Sequence, residues 1–247
     1  MFNTVFFSGT VSLRKQFAIK YLLFILLFVS LSSCEKSNPL RSDPVSNGPV
    51  ANLFSLKPGN KWKYITYEYF FGKERILDTL TVEITKEVTY NFNEKTYTAA
   101  VKQNRLGQIA EDCKWLYSNG ENGVYQCGGI SSADTVFKRD LIYKNPVNKG
   151  ESWPVPSLVY DPFNQKFFIE EILNYDCYST NDTLETPAGT FACTVYHYKR
   201  HPDNDVLEYW EYFEYYAPNI GRVGIFISRA DSQELLYKSI IISYDVK

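Results

Sequence analysis

Glu208, Glu211 and Glu214, three apart in EYWEYFEYY, come nearest in this chain to residues whose type and spacing suit a known chemistry. Two carboxylates at a suitable separation suffice for glycoside hydrolysis, one as acid and the other as base or nucleophile. On a strand, however, side chains alternate in face, so Glu208 and Glu214 share one side and Glu211 takes the other. Carboxylates alternating with aromatics read as solvent-facing sheet, and no catalytic residue is expected from them. His197 and His201 are the only histidines. Four apart on a helix they would share a metal, but Thr194 to Tyr198 reads as strand and Pro202 follows, which suits surface or strand-end histidines. Cys113, Cys127, Cys177 and Cys193 include no CxxC pair, so no zinc site is expected. The chain has no Gly-x-Ser-x-Gly, no phosphate-cradling Gly-x-x-x-x-Gly-Lys-Ser/Thr and no Gly-x-Gly-x-x-Gly. A non-enzymatic protein without cofactor or metal is the expectation.

The state of the cysteines depends on compartment, and Leu22 to Cys34, LLFILLFVSLSSC, decides that. Arg14, Lys15 and Lys20 precede an almost wholly apolar run, Tyr21 to Leu31, which Ser32 and Ser33 close. Basic flank, short apolar core and small residues before a cut make a bacterial secretory signal. The run is shorter than the roughly 18–20 residues that a membrane-spanning helix needs. Leu31-Ser32-Ser33-Cys34 resembles a lipobox, the motif of bacterial lipoprotein precursors, in all four positions. That resemblance implies cleavage before Cys34 and acylation there, hence a partner in the lipid bilayer and a place in the cell envelope, at the outer membrane. Several acyl chains on one residue exceed the single chain whose anchoring is marginal.

Removal of 1–33 leaves 23 Lys+Arg against 28 Asp+Glu, a formal charge of −5. Mild acidity without a basic block argues against nucleic acid as a partner. Glu35 to Ala51 has three prolines and no apolar period, so 34–52 reads as a tether. The folded domain is expected over 53–247. Twenty Tyr, 17 Phe and four Trp favour strands.

Pro58-Gly59 turns into a strand with Trp62, Tyr64 and Thr66 on one face. Asp78–Val88, Thr96–Gln103, Thr135–Tyr143, Lys166–Leu173, Cys177–Thr180, Phe191–Arg200, Glu208–Tyr216, Val223–Ser228 and Glu234–Tyr244 also read as strands. Trp153–Asp161, with two prolines, reads as a loop. Cys113–Cys127 suggests a hairpin; with its turn centred on Gly120, the two cysteines would face each other. Export makes disulfides the expected state: Cys113–Cys127 by hairpin symmetry and Cys177–Cys193 by elimination. About ten close-spaced strands imply an all-β fold, one antiparallel meander curled into a half-barrel or barrel.

PGNKWKY (Pro58–Tyr64), TPAGTFAC (Thr186–Cys193) and YYAPNIGRVG (Tyr215–Gly224) are similar to segments of many secreted bacterial lipoproteins without characterised activity. The resemblance implies a curved sheet like the open half-barrel of the LolA/LolB lipoprotein carriers or, more loosely, a lipocalin. Lipocalins usually carry Gly-x-Trp at the first strand, whereas Gly59 and Trp62 are separated by two residues. A half-barrel's concave face suits a hydrophobic or amphiphilic ligand, with Trp62, Tyr64, Trp210 and Tyr212 as its lining. An envelope protein or a glycan docked on the aromatic face is the alternative, and a carboxylate hydrolase the third.

Overall fold

The computed structural model describes residues 52–106, 109–201 and 208–247; the leader, Cys34 and the tether up to 51 lie outside them. The described residues form thirteen strands and no helix: β1 (Lys61–Phe70), β2 (Lys73–Phe92), β3 (Lys95–Leu106), β4 (Ile109–Ala110), β5 (Lys114–Gly120), β6 (Gly123–Ile130), β7 (Thr135–Lys144), β8 (Ser152–Asp161), β9 (Lys166–Thr186), β10 (Gly189–Arg200), β11 (Trp210–Ala217), β12 (Gly221–Arg229) and β13 (Leu235–Asp245). All pair antiparallel in one sheet, ordered β7-β6-β5-β3-β2-β1-β13-β12-β11-β10-β9-β8, with β4 beside β3. β1 joins β13, and β7 and β8, consecutive in sequence, are the ends of the path. The all-β expectation holds, as a nearly closed barrel.

The meander is two meanders. Strands β1, β2, β3, β5, β6 and β7 have 10, 20, 12, 7, 8 and 10 residues. Strands β8 to β13 have 10, 21, 12, 8, 9 and 11. The backbone repeats too. Gly59 N–H donates to Ile84 O at 2.7 Å, and Ile84 N–H to Asn60 O at 2.9 Å. Gly150 N–H donates to Cys177 O at 2.7 Å, and Cys177 N–H to Glu151 O at 2.9 Å. Both glycines have positive φ, 90° and 80°, which a side chain would strain. Trp62 and Trp153 stand three residues beyond them, both buried. Gly-x-x-Trp, the departure from the lipocalin pattern, is thus the start of each repeat.

The repeats join properly at one seam only. β1 pairs β13 through eight residue pairs, whereas β7 and β8 share no ladder. β8, expected to be a loop, pairs with β9 straight through Pro154 and Pro156. Proline has no N–H, and positions two apart direct that group to the same edge. The missing donors therefore belong to the edge facing β7, where proline is tolerated and where it blocks a ladder. Side chains seal the gap: Trp153 Nε1 donates to Ile142 O at 3.0 Å, and Lys138 Nζ to Pro156 O at 3.2 Å.

Leu53, Phe54 and Leu56 fill the end of the barrel from which β1 starts. Phe54 stacks against Trp62 with ring centroids 5.2 Å apart. It lies where Gly221 has no Cβ; one there would sit 2.2 Å from its ring.

The four cysteines are buried thiols rather than two disulfides. The β5–β6 ladder closes at Gly120↔Gly123, so the turn centres on Glu121-Asn122 and not on Gly120. With the bulge beyond Leu116, the pairing becomes Lys114↔Ile130, which leaves Cys127 unpaired and Cys113 past the ladder. A slip of this kind moves side chains to different faces; Cys127 packs with Tyr90 and Val101, Cys113 with Leu158 and Phe167. Cys193 opposes Asp182 and Cys177 opposes Tyr196. Asp182 and Cys177 lie five residues apart on β9, about 16 Å, beyond disulfide reach. In the repeat, Cys177 takes the place of Ile84 and Cys193 that of Ala99: small core side chains. β9 is likewise one strand, not the two expected.

Candidate functional site

The barrel interior holds a polar void of about 170 Å³. β1 contributes Tyr64 to its wall, β2 Val82, β3 Lys102, β5 Tyr117, β7 Tyr143, β11 Glu214 and Tyr216, and β12 Arg222. Phe54 completes it from the filled end. Strand alternation directs Trp62 and Tyr64 inward; the same alternation on β3 brings Lys102 in beside Ala100, and on β11 Glu214 beside Tyr212 and Tyr216.

Glu214 is the centre of the network. Its side chain is 3% exposed as a residue. Tyr143 donates to Oε2 at 2.6 Å, Tyr216 to Oε2 at 3.3 Å and Tyr198 to Oε1 at 3.3 Å. Arg222 Nη1 stands 3.8 Å from Oε1, an ion pair too long for a hydrogen bond. Burial works against the Arg222 charge, but Glu214 and the neighbouring tyrosines more than offset it, and its pKa is raised. Tyr64 donates to Arg222 O at 2.7 Å, and the guanidinium lies 5.8 Å from the Tyr64 ring centre. Burial pushes the Tyr64 hydroxyl up to about 12, with Arg222 acting the other way. Tyr143, Tyr175 and Tyr216 stand well above the ordinary tyrosine value, through burial and then the Glu214 charge.

Lys102 Nζ lies 4.9 Å from the Tyr117 ring centre. Burial pulls its pKa from 10.5 to about 8, and Arg222 adds to the fall. Among the described residues no carboxylate comes within ion-pair distance of it.

Of the four residues expected to line a ligand, Tyr64 borders this void and Trp62, Trp210 and Tyr212 do not. Trp62 is wholly buried and donates Nε1 to Ile220 O at 2.8 Å. Tyr212 stacks on Tyr198 at 4.7 Å, behind the void. Trp210 faces Tyr237, 6.1 Å away, further along the barrel. Lys102, Tyr117, Tyr143, Tyr216 and Arg222 were not singled out by sequence, and Glu214 only as one carboxylate of the EYWEYFEYY run. The signal available was phase: once Trp62 and Tyr64 are inward, a lysine or glutamate in phase on a neighbouring strand is an inward charge.

The carboxylate series separates. Glu214 is interior, which corrects the solvent-facing reading. Glu211 pairs with Lys199 at 2.7 Å, and Glu208 Oε1 lies 3.0 Å from Arg229 Nε. No two of them meet in the void. His197 is a mid-strand residue, mostly covered, with Nδ1 2.8 Å from Asp176 Oδ2 and Nε2 3.8 Å from Glu211 Oε1. His201 is a strand-end residue stacked on Tyr209. No cluster of three metal-binding side chains occurs among the described residues.

At the far end of the barrel, the β1–β2 tip exposes apolar side chains, Phe70 by 66% and Phe71 by 86%. Asn52, by contrast, accepts from Asn219 N–H at 2.7 Å beside the filled end. β1 runs away from there, so the tip is remote from Asn52.

No family model and no curated protein matches the chain. Two solved structures share its fold. One, from Bacteroides fragilis, is described as an exported protein with a YmcC-like fold; it is 17% identical, with TM-score 0.50 over 79% of this chain and 99% of its own. The other, described as a lipoprotein, is from Parabacteroides distasonis; it is 15% identical, with TM-score 0.50 over 80% of this chain and all of its own. The chain is similar to these barrels in fold.

Proposed function

We propose that the protein is an exported, lipid-anchored binding protein of the bacterial envelope, without catalytic activity, whose barrel interior receives a small ligand. The observation that carries the reading is the void itself, walled by tyrosines and charged groups that tight packing would have excluded. Its volume is below the roughly 300 Å³ at which ordinary ligand pockets begin. That size favours a small polar molecule over the hydrophobic or amphiphilic one suggested by composition. The lipobox and the fold shared with two proteins described as exported or as a lipoprotein support the address.

Native mass spectrometry of protein extracted from its own envelope tests the binding role. A small bound mass lost on denaturation is expected. A clean apo mass, with no tyrosine response to any small probe, would overturn it. Cys34→Ser should move the protein from the membrane to the soluble fraction and abolish labelling by palmitate.

The second reading, docking of an envelope protein, has the exposed Phe70–Phe71 tip in its favour. Phe70→Ser with Phe71→Ser should then lose a partner that wild-type protein retains after crosslinking; the same crosslinked species from both would dismiss it.

A further inference from the structure

We infer that the barrel interior is a site for a small oxyanion, a carboxylate or a phosphoryl group, held between Lys102 and Arg222. The inference rests on the binding role proposed above and names its chemistry.

Three observations converge. First, the charges facing the void do not cancel: Lys102 and Arg222 stand against Glu214 alone. Secondly, Glu214 is already satisfied by Tyr143, Tyr198 and Tyr216, and its closest approach to Arg222 is 3.8 Å. The partly covered lysine lies against the Tyr117 ring, with no carboxylate among the described residues within ion-pair distance. A cation withdrawn from water without a partner is costly, and an anion between two of them offsets that cost.

The third observation is the repeat. Lys102 is the eighth residue of β3, as Tyr196 is of β10. Tyr196 fills the core on its side, with its hydroxyl donating to Lys144 O at 2.7 Å. Lysine in the matching place leaves space and brings charge. Similarly, Arg222 follows the positive-φ Gly221 at the start of β12, where the first repeat has Val124 after Gly123. The void is therefore where the two halves differ: by the cations Lys102 and Arg222, and by Glu214 where the register puts Trp115 in the first repeat.

Size narrows the class. An apolar cavity of roughly 150 Å³ holds benzene, so this void suits an anion of about five to eight heavy atoms. Tyr64, Tyr143 and Tyr216 already give their single O–H to Arg222 O or Glu214, so of the lining tyrosines Tyr117 is the neutral donor, and Phe54 gives an apolar flank.

The full-length protein, labelled with 3-fluorotyrosine, should be titrated with succinate, inorganic phosphate and the neutral isostere succinamide. The ¹⁹F lines of Tyr64, Tyr117, Tyr143 and Tyr216, assigned by single Tyr→Phe variants, report the site. Succinate or phosphate should shift them saturably at concentrations at least tenfold below succinamide, and whichever is tighter tells carboxylate from phosphoryl. Lys102→Met should weaken the anions tenfold or more and leave succinamide unchanged. Equal affinity for succinamide and both anions in wild-type protein would overturn the inference, even if Lys102→Met does not fold. Succinamide binding alone would leave the binding role standing and remove the oxyanion; no response to any of the three would remove both.

Discussion

At the scale of single residues, Glu214 and Arg222 dominate the interior because buried charge is only stable in company. Replacing Arg222 leaves buried Glu214 without its cation, at a cost of about 1–3 kcal/mol, since the arginine side chain is 23% exposed and three tyrosines still donate to the carboxylate. Arg222→Met should therefore destabilise the fold by that order in urea denaturation. The double variant with Glu214→Gln should recover most of the loss, since Tyr143 and Tyr216 can still donate to an amide oxygen in the Oε2 position. A double variant no more stable than the single one would contradict this account. The cysteines belong to the same scale. Burial pushes the Cys113 thiol up to about 11 and Cys193 to about 12. A protonated, covered thiol is inert. Folded protein prepared without reductant should show no reaction with a thiol reagent, and four thiols once unfolded; two or none in the unfolded chain would restore the disulfides.

Among the elements, the strand β8 decides how the barrel closes. Its counterpart β1 carries Lys63 and Ile65 where β8 carries Pro154 and Pro156. With Pro154→Lys and Pro156→Ile, the edge regains two donors, and a ladder to β7 becomes available. Hydrogen exchange should then slow for amides in 138–143 and 152–158, without loss of the rest of the sheet. Unchanged exchange there would mean that something other than the prolines holds the seam apart. The strand pattern of β8 was half legible: its alternation was present, but two prolines read as a loop because sequence does not say which strand will be an edge. The same ignorance hid the repeat, since matching strand lengths and Gly-x-x-Trp starts are visible only when the pairing is known. The slipped β5–β6 turn is a third case, in which a turn centre moved from Gly120 to between Glu121 and Asn122 redirected both cysteines.

The whole molecule encloses its tyrosines, and that sets its alkaline limit. An unfolded tyrosine ionises near 10, whereas burial holds Tyr64 at about 12 and Tyr143, Tyr175, Tyr198 and Tyr216 well above the ordinary value. The native state keeps protons that the unfolded chain releases, so this contribution is complete below about pH 10 and lost as pH rises towards the folded values. Lys102 acts oppositely. Its folded pKa of about 8 lies below 10.5, so the unfolded chain binds more protons between them and stability gains across that window. One lysine against three buried thiols, whose unfolded counterparts ionise near 9, and several tyrosines predicts a Tm that holds from pH 8 to about 9 and then falls, most steeply above 10. A steady decline from pH 8 would refute it.

By itself the sequence determined what is local or periodic. The leader and lipobox are short contiguous motifs, and aromatic, alternating segments can bury a face only as sheet. Closure, the repeat and the site were decided by tertiary structure. The void draws on β1, β2, β3, β5, β7, β11 and β12, so its residues are spread over some 170 positions and meet only through strand register. Alternation says that two faces exist; which one becomes the inside, and hence whether Lys102 and Glu214 meet water or each other's neighbours, depends on how the sheet curls.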